Sequence, residues 1–177
     1  QQYAATWAGD TGGEAKPLAS MLNHAMSGHS NTSCDMHVFS DEGIRFGFLQ
    51  PWSQLCSWAY WRHPWFLDEA RLEIFKRYAE FRYRLVPYIY ALAHVGARTG
   101  MPILRPMALA FPHDRRCDDL LSQYMLGDSF LVSVFADEVY LPEGEWFDYW
   151  KDDAYRGPTT VTFGEHTNGL EGLFVRA

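Results

Sequence analysis

The sequence has few cysteines, no long apolar run and fewer basic than acidic residues. Its three cysteines, Cys34, Cys56 and Cys117, are widely spaced among 177 residues, which excludes a disulfide framework and favours a reducing, cytoplasmic location. No run approaches the roughly 18 apolar residues of a membrane-spanning helix, so no membrane partner is expected. The net charge is −7 and the basic residues are dispersed, which argues against a nucleic-acid partner.

Apolar and aromatic residues are plentiful, at 47% and 16% of the chain. This composition is typical of a folded protein with a substantial core, and aromatic rings can also stack on sugars. Apolar residues recur at helical spacing over residues 14–26 and again over 68–99, where Pro87 predicts a kink or the meeting of two helices. A further helix with irregular flanks is predicted within residues 45–65. We interpret the first part as βα units of a parallel sheet or barrel.

Short strand-like segments dominate the second part of the chain. They cover residues 103–111, 130–135, 139–141, 145–150 and 159–163, with turn signals at 142–144 and 157–158. Close turns between short strands predict an antiparallel β unit. The change in character places a boundary between residues 1–104, of the α/β class, and residues 105–177, of the β class.

One carboxylate near the start of the chain is a candidate for proton transfer. Asp10 follows a short apolar segment, residues 3–8, that is predicted to be a buried strand, and Gly9 begins a glycine-rich turn. The neighbouring Trp7 offers an apolar wall, which raises a carboxyl pKa and suits a proton donor. The local pattern alone favours a turn aspartate that caps a helix beginning near Glu14, because aspartate is common in turns.

A metal site is a second possibility from the residue types alone. Five potential ligands lie close together in the sequence: His24, His29, Cys34, Asp35 and His37. Their spacing matches no standard zinc pattern, so we expect neither a metal nor another cofactor.

Seven segments, in the order in which they occur, resemble glycoside hydrolase family 31, the α-glucosidase and α-xylosidase family. They are Trp7-Ala-Gly-Asp10, Ser33-Cys-Asp35-Met-His-Val-Phe39, Trp61-Arg-His63-Pro64, Arg82-Tyr-Arg-Leu-Val-Pro87-Tyr-Ile-Tyr90, Met101-Pro-Ile-Leu-Arg105-Pro106, Gly127-Asp-Ser-Phe-Leu-Val132 and Tyr140-Leu-Pro-Glu-Gly-Glu-Trp146-Phe-Asp-Tyr149. Each match is weak alone, but together they extend over almost the whole chain.

The resemblance implies a retaining α-glycosidase that acts on a carbohydrate substrate. The chain would be the last βα units of a (β/α)8 barrel followed by part of an antiparallel β-sandwich. On the family's pattern, Asp10 is the general acid/base and Trp7 lines the sugar site. Asp35 and Phe39 follow the next strand, near the bound sugar, and His63 would hydrogen-bond sugar hydroxyls.

A retaining mechanism also needs a carboxylate nucleophile about 5 Å from the acid. In the family this aspartate lies upstream of the acid, so we expect the chain to be an inactive fragment whose partner is the remainder of the parent chain. A non-catalytic carbohydrate-binding or scaffold fragment stays open. Asp35 could instead be a helix or turn cap, and His63 a structural histidine beside Pro64. Core positions are expected for the following rings: Trp52, Trp58, Trp61, Trp65, Tyr83, Tyr88 and Tyr90.

Overall fold

A computed structural model describes residues 5–9, 15–55, 63–164 and 170–177. The first elements form a small parallel unit, in which strand β1 (Thr6–Trp7) pairs with strand β2 (Thr32–Ser33) and helix α1 (Ala15–Met26) connects the two. Leu55 forms an isolated parallel bridge to Met36, just beyond β2. The predicted parallel arrangement is therefore confirmed. Within the described ranges, no helix is long and apolar enough to cross a membrane.

Helix α2 (Asp41–Phe48) begins earlier and ends earlier than the helix predicted within residues 45–65. The hydroxyl of Ser40 accepts a hydrogen bond from Gly43 N at 3.1 Å, and the acidic residues Asp41 and Glu42 occupy the first turn. These are the side chains that stabilise a helix N-terminus. Pro51 follows shortly after the helix, where it opposes continuation. Residues 56–62 lie outside the described ranges.

Helix α3 (Glu69–Thr99) is one continuous helix of 31 residues, so the prediction of two helices meeting at Pro87 is wrong. Asp68 caps its N-terminus, and Gly100, with φ +76°, ends it. A proline leaves the carbonyl four residues earlier without its helical partner, here that of Tyr83. Both residues lie on the exposed side of α3, where water can hydrate this carbonyl.

Three rings that were expected in the core are exposed. Tyr83 and Tyr90 on α3 are 81% and 66% exposed, and Trp65, in the 3-10 turn Pro64–Phe66, is 70% exposed. The core of α3 is formed by other residues, Tyr78, Phe81, Leu85, Ile89 and Leu92. The three exposed rings lie on the opposite side of the helix or before its start, which explains the wrong prediction.

The described residues of the second part form strands β3 (Leu104–Pro106), β4 (Gln123–Leu126), β5 (Phe130–Ser133), β6 (Glu138–Asp148), β7 (Ala154–Thr162) and β8 (Leu173–Arg176). These six strands pair in an antiparallel sheet with the order β3-β4-β5-β8-β6-β7. The predicted antiparallel unit is thus confirmed, but not all of its details. Residues 103–111 contain β3 followed by the short helix α4 (Met107–Ala110) rather than one strand.

Two predicted turns lie inside strands. Strand β6 is continuous from residue 138 to residue 148, with a register shift between Leu141 and Gly144. Gly144 has φ +137°, a conformation that glycine accepts readily and that suits a bulge. Gly157 and Pro158 lie within β7. Glycine and proline signal a bulge as well as a turn, and only pairing with a neighbouring strand distinguishes the two.

The main hydrophobic core joins the helical part to the sheet. It contains residues of α1, α2 and α3 together with Leu104, Tyr124, Val132 and Leu173 of the sheet. A smaller cluster, around Trp146, occupies the other face of the sheet. The two predicted domains therefore share a core, and the boundary at residues 104 and 105 stays a prediction.

Candidate active site at the ends of the parallel strands

The β1–β2 pair brings two of the predicted site segments to one edge of the sheet. Trp7 lies opposite Ser33 in the parallel register, and Asp35 follows Ser33 by two residues. Asp10 follows Trp7 by three residues and lies outside the described residues. Because parallel strands end at a common edge, the residues that directly follow Trp7 and Ser33 leave the sheet on the same side.

Trp7 is 48% exposed, and none of the described residues 5–9 is buried. The prediction of a buried strand over residues 3–8 is therefore wrong for its described part. In the described part of the chain β1 pairs on one edge, with β2, whereas a fully buried strand has neighbours on both edges and both faces. Gly9 has φ +90°, which glycine adopts readily, and a Cβ there would meet none of the described residues within 4 Å.

Asp35 is only 7% exposed and is held by the residues around Leu55. Gln54 Nε2 donates to Asp35 Oδ1 at 3.3 Å, and Gln54 O accepts a hydrogen bond from Met36 N at 2.7 Å. The backbone N–H of Cys34 donates to Gln50 Oε1 at 2.7 Å. The alternative in which Asp35 caps the following helix is wrong, since Ser40 occupies that position.

Helix α2 supports the segment after Asp35 through two glycines. A Cβ on Gly47 would lie 2.2 Å from Met36 Cγ, and one on Gly43 would lie 2.2 Å from His37 O. Only residues without a side chain allow this approach. The segment that carries Asp35 is thus fixed between α2 and the residues around Gln54.

Phe39 and His63 each contact other aromatic side chains. Phe39 is 42% exposed and contacts His37 edge to face, with ring centroids 6.3 Å apart. His63 stacks on Trp65 at 4.4 Å, with the rings 8° from parallel, and it also contacts Phe66. Both rings of this stack belong to the connection between Leu55 and α3. In βα units such connections carry functional residues at the C-terminal edge of the sheet.

The structure shows roles other than metal binding for the cluster that suggested a metal. Among the residues that the structure describes, no three His, Cys, Asp or Glu side chains are placed to hold a metal ion. His24 Nδ1 lies 3.2 Å from Thr32 Oγ1, and its ring centroid lies 5.2 Å from that of His29. Burial raises the pKa of the Cys34 thiol to about 12, so this thiol stays protonated at neutral pH.

Sequence reasoning missed Gln50 and Gln54, the two amide side chains beside Asp35. They lie 15 and 19 residues away from it, on either side of Trp52, without a motif of their own. Their role depends on the parallel bridge between Met36 and Leu55, which no local pattern indicates.

Comparison with known protein families shows which family the chain belongs to. The family model "Glycosyl hydrolases family 31 TIM-barrel domain" matches residues 1–92, and the model "Glycosyl hydrolase family 31 C-terminal domain" matches residues 100–177. The chain belongs to glycosyl hydrolase family 31. The resemblance found in the sequence is confirmed, and so is the predicted fold class, part of a TIM barrel followed by the β-rich C-terminal domain.

Curated family 31 relatives include glycosidases and glycosyltransferases. An α-xylosidase of Emericella nidulans is 30% identical over 200 aligned residues, which cover 98% of this chain and 25% of that protein. An isomaltosyltransferase of Sporosarcina globispora is 32% identical over 123 residues, 63% of this chain and 11% of that protein. The chain spans between 9% and 25% of the length of the curated relatives that it matches.

Solved family 31 structures share the fold. The cycloalternan-forming enzyme of Listeria monocytogenes, in complex with a pentasaccharide substrate, is 29% identical with a TM-score of 0.84, over 98% of this chain and 19% of that one. A dextranase of Flavobacterium johnsoniae, complexed with glucose, is 26% identical with a TM-score of 0.78, over 96% of this chain and 25% of that one.

Proposed function

We propose that this chain is the acid-bearing part of a retaining α-glycosidase, with Asp10 as its general acid/base. The observation that carries the proposal is the register of the parallel pair, Trp7 opposite Ser33, in a family 31 chain. Asp10 follows Trp7 by three residues in the chain and Asp35 follows Ser33 by two, so we expect both carboxylates near the ends of adjacent strands. In TIM barrels, catalytic residues come from the ends of several strands at this face.

In the proposed mechanism, Asp10 acts twice. As the glycosidic bond breaks, the protonated carboxyl gives its proton to the leaving oxygen. The carboxylate later takes a proton from the water that attacks the glycosyl-enzyme. The nucleophile of the first step is a second carboxylate, and we place it in a part of the whole protein upstream of Gln1. This placement rests on the family pattern and on the small share of its relatives that the chain spans.

The other candidate residues suit the binding of an α-linked sugar. A carboxylate offers about four acceptor positions, so Asp35 can accept from Gln54 and from a sugar hydroxyl at the same time. The half-exposed rings of Trp7 and Phe39 present flat apolar faces on which a sugar ring can stack. The imidazole of His63 would donate to a sugar hydroxyl.

The acid role is tested in the full-length protein with two aryl α-glycosides, one with a good and one with a poor leaving group. General acid catalysis contributes about 10²- to 10⁴-fold, so Asp10→Ala is expected to lower kcat/KM by that factor for the poor leaving group and by less than about tenfold for the good one. Asp119→Ala, an exposed aspartate on the sheet part, is the control and should change neither. Equal losses for both substrates would remove Asp10 from the acid role.

A second measurement tests whether the nucleophile lies outside this chain. The 177-residue chain alone is expected to release no aryl alcohol, because half of the carboxylate pair is missing. Turnover by the purified chain, abolished by Asp10→Ala, would show that the nucleophile lies within these residues and that the assignment to a fragment is wrong.

A further inference from the structure

Arg82 of helix α3 holds the turn that follows helix α2. This turn comprises residues 49–54 and is called the 49–54 turn below. The Arg82 guanidinium donates to the backbone carbonyls of Phe48 at 3.1 Å, of Pro51 at 2.6 Å and of Gln50. A planar guanidinium with five N–H groups can serve three carbonyls at once, and a cation is favourable at a helix C-terminus.

The 49–54 turn is in turn bonded to the segment that carries Asp35. Four hydrogen bonds join them: Trp52 N to Ser33 Oγ at 3.0 Å, Cys34 N to Gln50 Oε1 at 2.7 Å, Met36 N to Gln54 O at 2.7 Å and Gln54 Nε2 to Asp35 Oδ1 at 3.3 Å. The backbone N–H groups of Cys34 and Met36, which flank Asp35, and the Asp35 carboxylate are all bonded to this turn. Displacement of the turn therefore displaces the carboxylate.

We propose that Arg82 is a positioning residue that sets the place of the Asp35 carboxylate through the 49–54 turn. The inference rests on the proposed function, in which Asp35 contacts the sugar. Helix α3 is anchored by its own apolar residues, such as Phe81 and Leu85, which are 4% exposed. The three hydrogen bonds of the Arg82 guanidinium all go to the last residue of α2 and the first turn residues, not to α3 itself.

The test compares Arg82→Lys with Arg84→Lys in the full-length protein. Lysine keeps the charge and most of the length but loses the planar set of donors. Arg84 lies two residues away on the exposed side of the same helix and is the matched control. A displacement of about 1 Å in a binding group can lower the rate about 10²-fold. We expect Arg82→Lys to lower kcat/KM for an aryl α-glycoside about 10- to 100-fold, and Arg84→Lys less than twofold.

A double-mutant cycle with Asp35→Asn separates positioning from general stability. If Arg82 acts through Asp35, Arg82→Lys lowers kcat/KM less than about threefold in the Asp35→Asn background, while its effect on Tm is the same in both backgrounds. An equal fold-loss of kcat/KM in both backgrounds would overturn the inference. Should Arg82→Lys not fold, Arg82→Gln replaces it in the same cycle, since glutamine also lacks the planar set of five donors.

The two proposals fail in different ways. A full-length protein that hydrolyses no α-glycoside, or that is unaffected by Asp35→Asn, would refute the sugar-binding role of Asp35 and this inference with it. A protein that is active and sensitive to Asp35→Asn, but shows independent effects of Arg82→Lys, would overturn the role of Arg82 alone.

Discussion

Gly47→Ala tests whether the close packing of α2 on the Asp35 segment holds the site together. A methyl group at Gly47 would lie 2.2 Å from Met36 Cγ and 2.7 Å from Met36 Cβ. Ordinary contacts between such atoms are about 3.5–4.0 Å. Met36 Cβ cannot rotate away, so the helix and the segment would have to move apart.

Two opposing effects set the change in the free energy of unfolding that is expected for Gly47→Ala. Alanine is favoured over glycine within a helix by about 0.5–1 kcal/mol. Overpacking of a well-packed core costs about 1–3 kcal/mol. Because the overlap at Gly47 includes an atom fixed to the backbone, we place the cost near the upper end of this range. The net expectation for Gly47→Ala is a destabilisation of about 1–2 kcal/mol.

Met36→Ala supplies the matching half of a double-mutant cycle. Alone, it removes a buried side chain and costs about 2–5 kcal/mol. In the double variant, the new methyl group at Gly47 enters space that Met36 has left. The double variant should therefore be more stable than the sum of the two single effects by about 1 kcal/mol or more.

The assay is urea unfolding followed by tryptophan fluorescence, with the midpoint and the slope compared between variants. Gly164→Ala is the control, because a Cβ there meets none of the described residues within 4 Å, and it should change stability by less than about 0.5 kcal/mol. A Gly47→Ala protein as stable as the parent, or additive effects of Gly47→Ala and Met36→Ala, would refute the packing argument.

Two further predictions concern buried polar groups. The Tyr124 hydroxyl is fully buried and donates to Leu49 O at 3.0 Å. Tyr124→Phe is therefore expected to lower the free energy of unfolding, measured in urea, by about 1–2 kcal/mol, and the exposed Tyr83→Phe by less than about 0.5 kcal/mol. Equal effects of the two variants would contradict this account. Burial raises the pKa of the Cys34 thiol to about 12 and that of the Cys117 thiol to about 11. Peptide mass spectrometry should therefore find both thiols unmodified by iodoacetamide at pH 8 in the folded protein and modified in urea. Rapid labelling of the folded protein would show that these thiols are accessible.

Local features could be predicted where a few successive residues determine the backbone conformation by themselves. Helix α3 was predicted over residues 68–99, and Asp68 and Gly100 cap it. The start of α2 was missed although Ser40 and the acids after it form a cap, because the aromatic residues further on dominated the pattern. The bulge in β6 was read as a turn, since Gly144 serves both and the neighbouring strand decides between them.

In the candidate site, too, some residues could be predicted from the sequence and others could not. The order of the family 31 motifs predicted Asp10, Trp7 and Asp35 as site residues without any coordinates, because side-chain chemistry and spacing along the chain carry that signal. Gln54 beside Asp35 could not be found in this way, since a hydrogen bond between residues 19 positions apart depends on how the strands pair.

The sequence by itself determined the family, the succession of parallel and antiparallel parts and the aspartate expected to transfer protons. Only the tertiary structure decided what holds Asp35 in place, namely the glycine face of α2 on one side and the 49–54 turn with Arg82 on the other. The reason is physical. Capping and periodicity act between residues a few positions apart, whereas the position of a buried carboxylate is set by hydrogen bonds and steric contacts between elements that meet only in the folded chain.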